Sequence, residues 1–440
     1  MFRQTSEFTT WFAEQRRVQR HRVTPVRLDA LDGWAAEPGT GNLRHRTGRF
    51  FTVEGVEVTT GRRVTPSWSQ PIIVQPEHGV LGIVVREFDG VPHFLLQAKM
   101  EPGNINLLQL SPTVQATRSN YTRVHAGRAV PYLEHFLGPR RGRVLLDALQ
   151  SEQGSWFLGK RNRNMIVEVT GDVPVLPGFC WLTAAQIGEL LREDHLVNMD
   201  TRSVLAGLPW GRHGRPEAAV LDGADDTDRA AHTMAELIGH LTEVRAAHAV
   251  TRRRVPLNEV KGWSDNGAEL RHEDGRYFTV IGVDVEADGR EVARWSQPML
   301  APVGRGLIGF LARHLDGVPH LLAQIRTEAG SFDVAEFAPT VQCLPANHAH
   351  LPPGDRPRFL DAVRDAPDAA RLLDVTHSEE GGRFHHAANR YTVVLDEDAP
   401  RDPGPGFVWL TPRQLADLVR VPGQVDVEAR NLLTCLRWWR

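Results

Sequence analysis

The chain repeats itself, and that restricts its fold more than any other property. Leu43-Arg44-His45 returns as Leu270-Arg271-His272, Trp68-Ser69-Gln70-Pro71 as Trp295-Ser296-Gln297-Pro298, Asp89-Gly90-Val91-Pro92-His93 as Asp316-Gly317-Val318-Pro319-His320, and Pro112-Thr113-Val114-Gln115 as Pro339-Thr340-Val341-Gln342. All four pairs stand 227 positions apart, and residues 43–115 align without a gap on 270–342 with 32 identities in 73. The register returns at Ser151-Glu152 over Ser378-Glu379 and at Asn162-Arg163 over Asn389-Arg390. It slips by one at Trp181-Leu182-Thr183 over Trp409-Leu410-Thr411 and closes with Arg202 over Arg430. A chain of 440 residues is expected to split rather than grow a single core. Duplication makes the two domains copies, divided as 1–220 and 221–440.

Charge excludes some partners. With 51 Lys and Arg against 54 Asp and Glu, no excess of positive charge is available for nucleic acid or a membrane surface. No apolar run approaches the roughly 18 residues needed to span a bilayer, and the opening MFRQTSEFTTWFAEQRR carries acid, unlike a secretory signal. Cys180, Cys343 and Cys435 lie far apart, so neither a disulfide framework nor a zinc site is expected, and a reducing cytoplasm follows. Lys99, Lys160 and Lys261 are the only lysines among the 51 basic residues. The arginine bias reads as genomic, which makes each lysine worth locating.

Within a repeat, Arg49–Val58, Val80–Arg86, Val91–Ala98 and Met165–Thr170 are rich in Val, Ile and Phe and read as strands. Asp89-Gly90 between two of them predicts a type I′ hairpin turn. Thr183 is a candidate N-cap for AAQIGELL, and Arg202–Leu208 has helical spacing. Pro209–Asp226 reads as a surface linker, and Thr227–Val250 as a packing helix. The result is an α+β fold with mixed sheets.

Two polar runs stand out. The first holds Gln97, Lys99, Glu101, Asn104, Gln109, Thr113, Gln115, Ser119, Asn120, Tyr121 and His125, after a strand and broken by Pro102-Gly103; loops on a rigid scaffold are where ligand groups tend to sit. The second, Lys160-Arg161-Asn162-Arg163, places three cations in four residues and suits a diphosphate; read alone it is also a solvated basic turn. Trp68 is equally a core residue or a stacking platform. The second copy has Arg326 for Lys99, Glu336 for Gln109 and Ala387 for Lys160, while keeping Trp295, Gln324, Gln342, Asn389 and Arg390. The first copy is therefore the more specialised. No GxGxxG or GxxxxGK[ST] occurs, and no metal-ligand spacing, Ser elbow or Cys nucleophile is evident, so chemistry is expected from Lys, Glu, Tyr, His and amides.

The strings SQPIIVQPEHGVLGIVVREFDGVPHFLLQAKMEPGNINLLQLSPTVQATRSNYTRVH, SEQGSWFLGKRNRNMIVEV and NMDTRSVLAGLPW resemble the NDP-hexose 2,3-dehydratases of antibiotic deoxysugar pathways, over nearly the whole chain. That resemblance implies a homodimer of subunits with two tandem Nudix-like α/β/α domains, acting on dTDP-4-keto-6-deoxyglucose with no cofactor. The Nudix metal box is absent from both copies, so hydrolase activity is expected to be lost and no metal is called for. The implied catalytic groups are Lys99, Glu101, Tyr121 and His125, with Lys99 as electrostatic partner or base. Lys160, Arg161 and Arg163 are placed near the diphosphate. Trp68, Gln97, Asn104, Gln109, Thr113, Gln115, Ser119, Asn120 and Asn162 are placed on sugar or base. Repeat 1–220 is expected to be catalytic, and 221–440 to keep a vestigial pocket at Trp295, Gln324, Gln342, Asn389 and Arg390. The labile product calls for a 3-ketoreductase next. The competing readings are a Nudix-type hydrolase of nucleotide sugars and a noncatalytic sugar-nucleotide binder.

Overall fold

In a computed structural model, residues 2–61, 66–121, 129–138, 142–211, 218–221, 223–224, 226–287 and 292–439 are described. Strands dominate, with few helices, and the elements recur in the same order in each repeat. Each repeat has a seven-stranded mixed sheet. In the first, Arg143–Ser151 pairs with Arg161–Glu168, which runs parallel to Val80–Phe88; then come Val91–Met100 and Phe179–Thr183, with Leu108–Pro112 and Val114–Ala116 attached at one end. The second repeat builds the same pattern around Gly306–Leu315 and Val318–Arg326. Asp89 and Gly90 take φ of 50° and 78°, as the hairpin turn requires. Thr183 and Gln186 form a capping box at the start of the helix Ala184–Leu190.

The repeats are not side-by-side beads. Strand His21–Val26 of the first pairs antiparallel with Phe278–Ala287 of the second, and Val250–Val255 returns the exchange by pairing with Thr52–Thr60. Gly55 and Gly282, which recur at the 227 spacing, permit it: a Cβ there would lie 2.9 Å from the Val255 carbonyl and 2.7 Å from that of Val26. A second clasp lies in the loops after the long hairpins. Gly103 N–H donates to Gly381 O at 2.7 Å and Gly103 O accepts from His386 N–H at 2.7 Å, while Gly330 exchanges equivalent bonds with Gly154 and Gly159. A Cβ on Gly103 would overlap the Phe384 carbonyl, and one on Gly330 that of Phe157, so only glycine allows so close an approach.

Helices Met199–Ala206 and Val427–Trp438 pack together between the repeats, and each carries a fully buried arginine. Arg202 donates to Ser378 O at 2.6 Å, and Arg430 donates to Ser151 O and to Val425 O. Ser378 O and Ser151 O thus cross between the repeats to meet part of each charge, which would otherwise be costly to bury, and the Arg202 guanidinium also lies over the Tyr391 ring at 4.8 Å.

Two sequence expectations change. The helix predicted over Thr227–Val250 runs Met234–Ala247, with Thr233 and Glu236 closing its first turn as a capping box; β-branched Val250 and Thr251 belong to the exchanged strand. In the predicted surface linker, Ala218, Leu221 and Ala224 are buried, and Ala218 N–H donates to Arg437 O at 2.9 Å. The apolar residues between its glycines and prolines join the main hydrophobic core. Residues 212–217, 222 and 225 of that stretch lie outside the described set.

Candidate active site

A cavity of about 410 Å³ opens between the repeats, and both supply its walls. Lys99 and Glu101, two apart at the end of strand Val91–Met100, point to the same face because side chains alternate along a strand. Gln115 comes from the short strand Val114–Ala116, Glu152 from the end of Arg143–Ser151, Lys160 and Asn162 from the start of Arg161–Glu168, and Asp200 from the first turn of Met199–Ala206. The second repeat contributes Arg294–Gln297 and the turn Glu380–Arg383. Trp34, His45, Phe50 and Phe51 form an aromatic side, and Trp34 Nε1 donates across the boundary to Ser296 O at 2.8 Å.

These polar groups hold one another in place. Lys99 Nζ donates to Gln115 O at 2.7 Å and lies 3.4 Å from Glu101 Oε1. Gln115 Nε2 reaches the same carboxylate at 3.4 Å, and its own oxygen accepts from Asn198 Nδ2 at 3.1 Å. Asn162 Nδ2 donates to Glu152 Oε1 at 2.7 Å, while its Oδ1 accepts from Gly79 N–H at 2.9 Å. Glu380 accepts backbone N–H bonds from Gly382 at 2.9 Å and Arg383 at 2.7 Å. Lys160 Nζ donates to Glu77 O.

Five carboxyls and five lysine or arginine cations line one small space, and burial shifts several of them. Asp200, buried and repelled by Glu152, Glu380 and Glu101, is held well above the ordinary carboxylate range. Glu152 is also raised, by burial first, with Arg430 and Asn162 opposing. Glu380 is pushed up to about 7 by loss of solvation and the nearby charges of Glu101 and Glu152, against the pull of Arg383. Burial lowers Lys160 to about 8, although Glu152 and Glu77 favour its charge. A carboxyl held at about 7, beside amines that share the space, suits proton transfer. Among the described residues, no group of three or more His, Cys, Asp and Glu side chains is arranged to hold a metal ion.

Of the residues predicted for catalysis or binding, Lys99, Glu101, Gln115, Lys160 and Asn162 meet here. Others bond to groups of the surrounding fold. Thr113 Oγ1 accepts from Val84 N–H at 2.9 Å and donates to Leu95 O, as Thr340 does in the other copy. Gln97 Nε2 ties down Pro112 O at 2.9 Å, Asn104 Nδ2 bonds Leu107 O at 3.2 Å, and buried Gln109 bridges to Ser378 Oγ at 2.9 Å. Gln324 lies in the strand Val318–Arg326 opposite Ala338. Tyr121 packs on the other side of the sheet, among the residues around Val80 and Phe136. Ser119 and Asn120 share its short helix Arg118–Tyr121, with side chains outside the described set; His125 is outside it altogether.

The cationic run divides. Arg161 stacks over Phe332 at 3.7 Å, and Arg163 is held bidentate by Asp147 at 2.7 Å, as Arg390 is held by Asp374. Alternation along the strand turns these two arginines away while Lys160 and Asn162 face inward. The tryptophans exchange roles: Trp295 of the second repeat lines this cavity, whereas Trp68 packs with Val56, Val58, Ile72 and Ala329, on the side of Gln342 and Glu328. Strand exchange is the reason, because each WSQP strand belongs to a sheet completed by the other repeat. Asn389 donates to Glu379 at 2.7 Å.

Sequence reasoning missed Glu152, Asp200, Glu380 and Arg383. The 227 offset held a signal for two of them: Glu380 and Arg383 stand where the first copy has Gln153 and Trp156.

Fold and cavity together define a duplicated α+β protein with a charged cavity walled by both copies. The chain belongs to the NDP-hexose 2,3-dehydratase family, whose sequence pattern matches residues 5–208 and again 234–436. It is 53% identical over 439 residues to a dTDP-4-dehydro-6-deoxy-alpha-D-glucopyranose 2,3-dehydratase of Streptomyces violaceoruber, covering 98% of this chain and 97% of the relative. Proteins of the same description from Amycolatopsis orientalis and Saccharopolyspora spinosa are 49% and 47% identical, each over 98% of this chain and 90% and 91% of their own length.

Proposed function

We propose that this chain is a hydro-lyase that removes water across C2 and C3 of dTDP-4-keto-6-deoxyglucose, and that the cavity around Lys99 and Glu101 is where it does so. The observation that carries the reading is the pairing of half-buried Lys99 with buried Glu101, 3.4 Å apart in a cavity with further carboxyls, in a chain of this family. A carbonyl at C4 acidifies the C3 proton. Glu101 removes it, and the Lys99 ammonium faces the enolate oxygen that develops at C4. The C2 hydroxyl, β to that carbonyl, then leaves as water, and the enol ketonises with a proton added at C2 to a 3,4-diketo-2,6-dideoxy sugar. Loss of oxygen at C2 balances oxidation at C3, so the step needs no redox cofactor. Arg383 and Arg294 line the cavity with Lys160 and offer positive charge to the diphosphate.

The same reading extends to the setting. Each repeat is a Nudix-like domain without the Nudix metal box, the division falling near residue 220, and the counterpart of this cavity around Arg326 and Glu328 is vestigial. The enzyme works as a cytoplasmic homodimer and hands a labile diketone to a 3-ketoreductase; in the structure no described helix is long and apolar enough to cross a membrane. The test is incubation with dTDP-4-keto-6-deoxyglucose in deuterated buffer, with and without magnesium, followed by mass spectrometry. Loss of water with deuterium at C2 is expected. Magnesium-dependent release of dTMP, or unchanged sugar nucleotide, overturns the assignment.

A further inference from the structure

Two carboxylates meet at one point of the cavity wall, and they come from different repeats. A Cβ on Gly382 would collide with Glu380 Oε1 and lie 2.9 Å from Glu101 Oε2, so the absent side chain is what lets the two face each other. Glu380 is fixed in this pose by the Gly382 and Arg383 N–H groups. The other copy breaks the arrangement at both positions. Ser155 stands for Gly382 and donates to Glu328 Oε1 at 2.8 Å, while Gln153 stands for Glu380 and turns to Glu379 at 3.0 Å. An acid thus appears only where it faces the more specialised cavity.

In a glucopyranose ring H3 and O2 lie on the same face, so a base for one and an acid for the other must approach from one side. We propose that Glu380, supplied by the second repeat, is the general acid that protonates the departing C2 hydroxyl while Glu101 acts on C3. This rests on the dehydratase reading above. The Glu380 O–H bond breaks and its proton goes to the C2 oxygen. The C2–O bond breaks with its electron pair leaving in water, and the enolate pair closes C2=C3. A proton passing from Glu101 to Glu380 across the Gly382 gap then restores both groups. A close carboxyl pair with one member protonated suits such a division of labour, because like charges oppose joint ionisation.

The deciding variant is Glu380→Gln, which installs the side chain of the other copy. With dTDP-4-keto-6-deoxyglucose in deuterated buffer, it is expected to exchange the C3 hydrogen, read in recovered substrate by NMR, while water loss falls about 100-fold or more, the scale of a lost general acid. Dehydration at the wild-type rate overturns the role of Glu380 and leaves the dehydratase reading intact. Loss of both exchange and dehydration, with an unchanged melting temperature, also overturns it, placing Glu380 on the binding or base side. If the glutamine variant melts early, Glu380→Asp replaces it: exchange faster than dehydration supports the role, and wild-type proportions of the two overturn it. Failure of the wild-type protein to lose water fails the underlying reading instead.

Discussion

The cavity and its counterpart one repeat away share a backbone and differ in a handful of side chains. Both keep a buried glutamate, Glu101 or Glu328, and a glutamine beside it, Gln115 or Gln342. In the counterpart, Glu328 Oε1 takes Arg326 at 3.2 Å, Gln342 at 3.1 Å and Ser155 at 2.8 Å. Ala387 replaces Lys160, and Trp156, in the place of Arg383, packs edge-on against Phe384 at 4.3 Å. One copy offers charge to a space, while the other folds its charge inward and adds aromatic packing. Duplication therefore preserves a frame while the side chains around the two glutamates differ.

The comparison breaks most sharply at its centre. Lys99→Ala or Glu101→Gln should lower kcat by about 1000-fold or more, while Arg326→Ala or Glu328→Ala should leave most turnover. Steady-state assays on the four variants decide, and the opposite pattern would move the active site to the second repeat. Next are the paired arginines of the central helices. Arg430→Met and Arg202→Met should each cost about 3 kcal/mol, the scale for stripping one partner from a buried charged network, read from denaturant midpoints. A loss confined to one of them would show that the halves are not equivalent in stability. Arg383→Trp makes the cavity resemble its counterpart and should raise KM about tenfold to a hundredfold, as loss of a charge-assisted contact does, with kcat less affected.

A smaller effect concerns pH. Burial, with Glu101 and Glu152 repelling and Arg383 attracting, raises Glu380 from its ordinary 4.5 to about 7, with Asp200 and Lys160 also facing the space. A raised carboxyl gives stability that is fully present below pH 4.5 and is lost as pH rises through about 7. The melting temperature of the wild type relative to Glu380→Gln should therefore fall across that window, and a flat difference would refute the shift. The smallest change is expected from Arg163→Ala and Arg390→Ala. Each breaks a partly exposed cross-strand pair worth about 0.2–1 kcal/mol and should leave turnover near wild type, in contrast to a diphosphate-binding role.

Much of the frame was legible in the sequence. The 227 offset, the Asp-Gly hairpins, the Thr183 cap and the Val-rich strands are local signals, and each survives in the structure with small changes of boundary. The Lys99–Glu101 pair was legible too, because two residues two apart on a strand end share a face. Trp68 and Trp295 were assigned to the wrong sides because identical WSQP strings carry no mark of which repeat they cross into. Thr113 and Gln97 read as ligand groups, yet their polar atoms satisfy backbone groups of the sheet.

By itself, then, the sequence determined a duplicated α+β chain, its strands and caps, and which side chains differ between the copies. These follow from periodicity, turn chemistry and a comparison of one half with the other. Only the tertiary structure decided that strands are exchanged, that Glu380 and Arg383 of one repeat complete a cavity of the other, and that Arg163 is turned away. The physical reason is that a strand's partner and a carboxylate's neighbour are set by contacts between residues some 170 to 280 positions apart, and those distances exist only after the two halves have packed.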